Sequence, residues 1–255
     1  LKRENVDAVV IDLRSNGGGS LPEAISLSGL FIKSGPIVQV RDRRNNVEIE
    51  EDEDPGIAWT GPLGVLQDRF SSSASGIFAG AIQDYGRGII IGNQSYGKGT
   101  VQQGIDMGRV IGTADKLMLK AAQTAGNKSG AVISSNAPEF GQINLTMAKF
   151  YRVNGSTTQH KGVVPDIELP TVFPKDKYGE SCEPRALPWD TIAPSKYSLV
   201  ANLEDVKRKL LSLHKERMKT SLGYQNLQQD IAEFAKREAE TTITLNEVQL
   251  KKERD

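Results

Sequence analysis

The feature that most constrains this chain is an alternation of short apolar runs with helical segments. Val6–Leu13, Leu63–Leu66 and Gly88–Gly92 are nearly continuous apolar runs, typical of strands that are covered on both faces. Between the last two runs, apolar residues recur at positions 77, 78, 81, 82 and 85, which is helical spacing. This alternation predicts an α/β sheet with its functional loops at the strand ends.

The first predicted helix has a sequence signal at each end. Ser20 is a favourable N-cap, and Glu23 lies three residues later, as in a capping box. We therefore expect a helix from Ser20 to about Ile32, stopped by Gly35-Pro36 and followed by a second strand at Ile37–Val40.

The remaining segments predict loops, a hairpin and a helical C-terminal region. The charged stretch 41–54 is expected to be a solvated loop or hairpin tip, and residues 112–141 have a loop-like composition. Residues 142–152 alternate polar and apolar side chains before Asn154-Gly155, which indicates a hairpin. From about 198 to 240, apolar residues at helical spacing predict a mostly helical appendage whose apolar stripe packs on the core.

Composition excludes several classes of protein. The 255 residues carry 32 Lys and Arg against 32 Asp and Glu, so the formal net charge is zero, which argues against a dedicated nucleic-acid binder. The single cysteine, Cys182, excludes an internal disulfide framework, and with only two histidines no metal site or cofactor is predicted. No apolar run approaches the roughly 18 residues that a transmembrane helix needs.

Three glycine- or serine-rich clusters lie where predicted strands end: Gly17–Gly19, Ser71–Ser75 and Gly97–Gly99. A serine directly before a helix presents its hydroxyl beside free backbone N–H groups, which suits a nucleophile with an oxyanion hole. The same pattern is also that of an ordinary serine N-cap in a loop.

Lys98 lies between two glycines, and three interpretations of it stay open. It is a surface lysine in a turn, or a general base whose surroundings keep its amine neutral. Alternatively it binds phosphate, since Gly92–Thr100 (GNQSYGKGT) approaches the pattern G-x-x-x-x-G-K-[ST]. Against phosphate binding, position 99 is Gly and residues 100–104 look extended, whereas a P-loop leads into a helix.

A histidine base is disfavoured by position. His214 belongs to the helical appendage, and His160 follows a hairpin strand and is expected to be exposed. A serine with a lysine base is a known variant of triad chemistry and needs no histidine.

Several long motifs in one order then point to a family. They include VIDLRSNGGGS, DRFSSSASG and YGKGTVQQ, and together with residues 149–167 and 187–192 they span most of residues 6–170. They resemble the C-terminal processing, or tail-specific, proteases, which are serine peptidases with a Ser-Lys dyad (family S41). The resemblance implies a mixed α/β (α+β) protease core of the ClpP/crotonase-like type with a mostly helical C-terminal appendage.

The resemblance also assigns roles to residues. The family's nucleophile, lysine base and orienting glutamine fall on Ser73, Lys98 and Gln102. Its oxyanion donors are two backbone N–H groups. One falls on Gly18 or Gly19 in the glycine turn, and the other on Ala74, directly after the nucleophile.

An aspartate linked to activity in the family falls on Asp84. At about 1.5 Å per residue, a helix places it roughly 16 Å from Ser73. We therefore interpret Asp84 as a supporting residue and expect it to pair with Arg87.

The implied activity is a serine endopeptidase that cleaves proteins with apolar C-termini. Its implied partners are protein or peptide substrates bound through their C-termini, with an adaptor or a membrane-associated lipoprotein as a further candidate and no nucleic acid. The implied location is the bacterial periplasm. We expect residues 1–172 to form the peptidase core and residues 173–255 a C-terminal linker and helical region.

Two substitutions and the start of the chain depart from the family pattern. Gly76 replaces the usual glutamate and Ser72 the usual alanine. The chain begins at Leu1 without a methionine, a signal peptide or a PDZ-like module, so we interpret it as a truncated protease domain, weakly active or inactive on tagged proteins. The alternatives are a catalytically impaired peptidase-like scaffold and P-loop-like nucleotide binding through Gly92–Thr100.

Overall fold

The computed structural model describes residues 4–126, 140–242 and 244–254, and it contains two four-stranded sheets of different kinds. The first sheet is parallel, in the spatial order β1 (Val9–Asp12), β4 (Leu63–Gln67), β5 (Ile89–Gly92) and β8 (Ile167–Glu168). The second is antiparallel, in the order β3 (Val47–Asp52), β2 (Gly35–Asp42), β7 (Gln142–Tyr151) and β6 (Thr100–Asp106). The mixed α/β prediction is therefore confirmed.

Two helices follow strands of the parallel sheet and pack on each other: α1 (Leu21–Gly29) after β1, and α2 (Ala74–Asp84) after β4. As predicted, the Ser20 hydroxyl caps α1 by accepting from the Glu23 N–H at 3.4 Å. The helix ends at Gly29, earlier than predicted, because the chain tightens there. The N–H groups of Phe31 and Ile32 both donate to the Ser28 carbonyl, and both side chains turn into the core.

The core lies between these helices and the two sheets. Phe31 and Phe78 meet edge to face with ring centroids 6.0 Å apart. Helix α2 is buried over most of its length, as its apolar spacing predicts. Burial of this helix fixes the direction of its N-terminus, where the serine cluster lies.

The charged stretch 41–54 was predicted to be a solvated loop or a hairpin tip, and it forms part of a hairpin. The chain turns at residues 43–46, and four of its acidic residues, Glu48, Glu50, Glu51 and Asp52, lie in β3, the edge strand of the antiparallel sheet. Charged side chains on an edge strand oppose pairing with another chain.

The predicted loop at residues 112–141 is wrong over its first half. Met107–Val110 forms a short helix, α3, and Thr113–Gly126 forms α4. The sequence of α4 includes Asp115 in the first turn and the strong helix formers Leu, Met, Lys and Ala. These propensities outweigh the excess of Ala, Ser, Asn and Gly on which the loop prediction rested, and residues 127–139 lie outside the described chain.

The C-terminal region is helical, as predicted, and extends beyond residue 240. It comprises α5 (Glu204–Thr220), α6 (Leu222–Ala239) and α7 (Glu247–Arg254). Packing of its apolar stripe on the core is only partial, since no residue of α5 or α6 is buried. Its first turns face the parallel sheet across a cavity of about 660 Å³, beside an ion pair between Lys207 and Asp166 at 3.0 Å. In the described ranges no helix is both long and apolar enough to cross a bilayer.

Candidate active site

Ser73 stands at the junction between β4 and α2 in a strained conformation. It is the N-cap of α2, with φ 55° and ψ −119°, a region that residues with a side chain rarely adopt. Its hydroxyl makes no capping hydrogen bond to the helix. A serine on a sharp strand-to-helix turn with a free hydroxyl has the geometry of a nucleophile elbow.

Asp68 organises the loop that leads to Ser73. Its carboxylate accepts from the N–H groups of Phe70 at 2.9 Å and Ser71 at 3.0 Å. The same carboxylate accepts from the N–H of Ser15 at 3.0 Å, in the turn after β1. One side chain therefore ties the serine loop to the glycine-rich turn.

Asn16 makes the second link between these two turns. Its backbone carbonyl accepts from the Ser72 N–H at 3.0 Å, and its side-chain oxygen accepts from the Ser75 hydroxyl at 3.0 Å. Gly18, with φ +98°, lies so close that a Cβ there would be 2.7 Å from the Cβ of Ser73. A side chain at position 18 is therefore excluded, because it would displace the candidate nucleophile.

The three candidate oxyanion donors differ in their hydrogen bonding. The N–H of Gly18 donates to the Asn16 side-chain oxygen at 2.9 Å, so it is already engaged. Among the described residues, the N–H groups of Gly19 and Ala74 have no acceptor. These two donors are therefore available to a ligand beside Ser73.

Lys98 lies on a turn between β5 and β6. The Gly97 carbonyl accepts from the His160 N–H at 2.8 Å, and the Gly99 N–H donates to the Gln159 side-chain oxygen at 2.7 Å. The half-buried Lys98 amine donates to Gln102 Oε1 at 3.4 Å, a long hydrogen bond. Lys98 and Gln102 thus meet, as the resemblance implies.

The loop that leads from Asp68 to Ser73 (the serine loop) and the turn at residues 96–99 that carries Lys98 (the lysine turn) are hydrogen-bonded to each other. The Tyr96 N–H donates to the Ser71 carbonyl at 2.9 Å, so Ser73 and Lys98 each lie two residues beyond this bond. Within the described chain, no hydrogen bond joins the Ser73 hydroxyl to the Lys98 amine, so the pair is not closed. Such contacts are often long without substrate and tighten when it binds.

Asp84 lies at the opposite end of α2 from Ser73, and its expected pairing with Arg87 is wrong. It forms a bidentate ion pair with Arg152, at 2.6 and 2.9 Å, and accepts from Asn154 at 2.8 Å. Burial raises the pKa of Asp84, against the opposing effects of Arg152 and Asn154. Arg87 instead donates to three backbone carbonyls.

The other candidate chemistries find less support in the geometry. After β5, the Gly92–Thr100 segment leads into β6, so it lacks the helix N-terminus of a P-loop. His160 was expected to be exposed, but it is half-buried, because its backbone packs against the lysine turn. In the described chain, neither histidine hydrogen-bonds Ser73.

The departure at position 76 leaves space rather than a clash. Gly76 is buried in α2, and a Cβ built there would meet no atom within 4 Å. A Cβ therefore fits at this position. The absence of one costs helix stability, about 1 kcal/mol for Gly relative to Ala.

Sequence reasoning missed Asn16, Asp68 and Gln159, which hold the three turns together. Asp68 had a local signal, because an aspartate in a turn often accepts from the backbone N–H two residues on, as Asp68 does from Phe70. Gln159 had none, because its partners are distant in sequence: Gly99, 60 positions away, and Glu180, 21 positions away.

Comparisons with known proteins identify relatives of this chain. The profile of Peptidase family S41 matches residues 1–169, and that of the C-terminal domain of tail specific protease (DUF3340) matches residues 173–255. The tail-specific protease of Haemophilus influenzae is 42% identical over 80% of this chain and 26% of its own length. The chloroplastic carboxyl-terminal-processing peptidase 2 of Arabidopsis thaliana is 32% identical over 69% of this chain and 29% of its own length.

A solved structure matches as well. The photosystem II D1 C-terminal processing protease superposes with a TM-score of 0.51 at 27% identity, covering 69% of this chain and 38% of its own. The chain thus spans a quarter to two fifths of the length of these relatives. Since the S41 profile covers well over half of its residues, the chain belongs to peptidase family S41.

Proposed function

We propose that this chain carries the catalytic centre of a serine endopeptidase that processes proteins from their C-terminal end. The observation that carries the proposal is the arrangement at Ser73. Ser73 has a strained backbone, its hydroxyl makes no capping hydrogen bond, and it lies beside the free N–H groups of Gly19 and Ala74. One backbone hydrogen bond, from Tyr96 to Ser71, links its loop to the turn that carries Lys98. Membership of family S41 supports the same reaction.

In the proposed reaction the neutral Lys98 amine takes the proton of the Ser73 hydroxyl, while Gln102 orients the amine. Ser73 Oγ bonds to the carbonyl carbon of a peptide, and the N–H groups of Gly19 and Ala74 stabilise the oxyanion. The C–N bond then breaks, and Lys98 returns the proton to the leaving amine. Water hydrolyses the resulting ester and regenerates Ser73.

The experiment that tests this assignment is covalent labelling. A fluorophosphonate is expected to modify Ser73 and none of its serine neighbours, and peptide mass spectrometry locates the adduct. Chain unfolded in urea is the control, because labelling requires the folded site. Absence of labelling in the folded chain would favour the impaired scaffold, and labelling at another serine would contradict the assignment.

A small apolar pocket beside the free N–H donors supports an apolar substrate side chain. It has a volume of about 170 Å³ and lies between the N-terminal parts of α1 and α2. Leu13, Ala24, Leu27 and Phe78 contribute apolar walls. We propose that it receives a side chain next to the scissile bond, in proteins with apolar C-termini.

The pocket makes a testable prediction about specificity. Replacing Leu27 by glutamate is expected to lower the ratio of kcat/KM for leucine over lysine peptides about tenfold, since the charge disfavours apolar burial. Leu30→Glu is the matched control, because Leu30 is 44% exposed on the same chain segment and lies outside the pocket. An unchanged ratio in Leu27→Glu would contradict the pocket's role.

The proposal extends to location and partners only through the family. We propose a bacterial periplasmic protein that acts on protein substrates, in keeping with its 42% identity to the Haemophilus tail-specific protease. An adaptor or a membrane-associated lipoprotein is part of the same proposal.

A further inference from the structure

We propose that residues 173–182, which begin the C-terminal region, form a clamp that positions the lysine turn against the serine loop. We call these residues the clamp segment, and within this proposal Gln159 and Glu180 are positioning residues for Lys98. The inference rests on the proposed function, because it concerns the same Ser73–Lys98 centre.

On the serine side, the clamp segment holds the loop through aromatic rings. Phe70, three residues before Ser73, packs edge to face against Phe173, with ring centroids 4.9 Å apart. Tyr178 lies 6.3 Å from Phe70 and 5.2 Å from Phe173, again edge to face. Such pairs contribute about 0.5–1.5 kcal/mol beyond the burial of area.

On the lysine side, the clamp segment makes two hydrogen-bonded links. The Glu180 N–H donates to the Tyr96 carbonyl at 2.9 Å. The Glu180 carboxylate accepts from Gln159 Nε2 at 3.1 Å, and Gln159 Oε1 accepts from the Gly99 N–H at 2.7 Å. Gln159 is fully buried, so its amide bridges the clamp segment to the residue directly after Lys98.

Tyr96 connects both sides. Its N–H donates to Ser71 of the serine loop, and its carbonyl accepts from Glu180 of the clamp segment. The serine loop, the lysine turn and the clamp segment are therefore hydrogen-bonded in a row. A shift of the clamp segment therefore changes the distance between the Ser73 hydroxyl and the Lys98 amine.

The chemistry of Lys98 makes this support matter for rate. Among the described residues its side chain makes a single hydrogen bond, to Gln102 at 3.4 Å, so the position of its amine depends on the backbone on either side. That backbone is held at Gly97 by His160 and at Gly99 by Gln159. Displacement of a catalytic group by about 1 Å can cost about a hundredfold in rate.

The test compares three glutamate variants by the rate at which a fluorophosphonate labels Ser73 across pH. Glu180→Ala is expected to slow labelling about tenfold and to shift the midpoint of the pH profile, because the lysine turn loses its outer anchor. Glu180→Gln is expected to restore most of the rate, since its amide oxygen still accepts from Gln159. Glu183→Ala is the matched control, with the same loss of charge on an exposed residue, and should label like the unmodified chain.

A variant on the serine side keeps the test independent of how Glu180→Ala folds. Phe173→Leu removes the ring contacts with Phe70 and is also expected to slow labelling, with the thermal unfolding midpoint measured alongside. Slower labelling with an unchanged pH profile in Glu180→Ala, or equal slowing in Glu183→Ala, would overturn the clamp.

The outcomes also separate this inference from the proposed function. If Glu180→Ala and Phe173→Leu label like the unmodified chain while the adduct still maps to Ser73, the clamp fails and the proposed function stands. If the adduct does not map to Ser73, the proposed function fails first.

Discussion

Replacing Lys98 by methionine is expected to reduce hydrolysis of an activated ester about thousandfold, with no loss of folded protein. The reason is that general base catalysis typically contributes about 10²–10⁴-fold, and methionine keeps the length of the side chain without its amine. Lys98→Arg is expected to be as inactive, because a guanidinium keeps the charge but does not give up its proton in proteins. Ser73→Ala should abolish the ester-forming step itself.

The pH dependence of the unmodified chain gives the same prediction a second readout. Only a neutral amine accepts the serine proton, so the proposed mechanism predicts that kcat/KM rises with pH. A flat profile would count against a lysine base. Lys161→Met is the matched control, because Lys161 is an exposed lysine whose ammonium lies 5.8 Å from the centre of the Trp189 ring. Full activity in Lys98→Met or Ser73→Ala would falsify the dyad.

Replacing Arg152 by methionine is expected to lower the free energy of unfolding by about 3–5 kcal/mol at pH 8. Removing one partner of a buried ion pair leaves the other charge uncompensated. The Asp84 side chain is only 6% exposed, and Arg152 supplies two of its three hydrogen bonds from side chains. Urea unfolding followed by circular dichroism measures the loss.

The loss should depend on pH in a defined direction. Burial already raises the pKa of Asp84, and removal of Arg152 raises it further. When the native pKa exceeds the unfolded value of about 3.9, the native state binds more protons, and stability falls as pH rises through that window. The deficit of Arg152→Met should therefore be smallest in acid and largest at neutral pH.

Two controls make the second prediction specific. Arg208→Met removes a cation from an exposed pair with Asp205 on α5 and should leave the unfolding midpoint unchanged. Asp84→Asn combined with Arg152→Met should recover part of the stability lost in Arg152→Met alone, because no charge is left buried. An unfolding midpoint at pH 8 that Arg152→Met does not move would contradict the assignment of this pair.

The strands and junctions were predictable because their signals are local. Three dense apolar runs next to glycine or serine clusters each coincide with a strand of the parallel sheet to within a few residues: Val6–Leu13, Leu63–Leu66 and Gly88–Gly92. The Ser20 cap was equally predictable, because its acceptor and donor are three residues apart. Helix α4 was missed because the Ala, Ser, Asn and Gly content of residues 112–141 resembles that of a loop, although the residues within α4 favour a helix.

The contacts that assemble the candidate site could not be predicted from local pattern. Arg152 lies 68 positions from Asp84, so nothing near α2 distinguishes it from the much closer Arg87 as a partner. In the sequence, Gln159 is an ordinary polar residue after a hairpin turn. In the structure it is fully buried, and its side-chain oxygen accepts from the Gly99 N–H of the lysine turn. Resemblance to a family supplied Ser73, Lys98 and Gln102, but not the residues that hold them.

The backbone of Ser73 carries a further consequence. Its φ and ψ values suit glycine better than any residue with a side chain, so the chain gives up some folding energy at the position of the proposed nucleophile. At this position, stability and catalysis therefore require different residues. Selection for stability alone would favour glycine, which has no hydroxyl to act as a nucleophile.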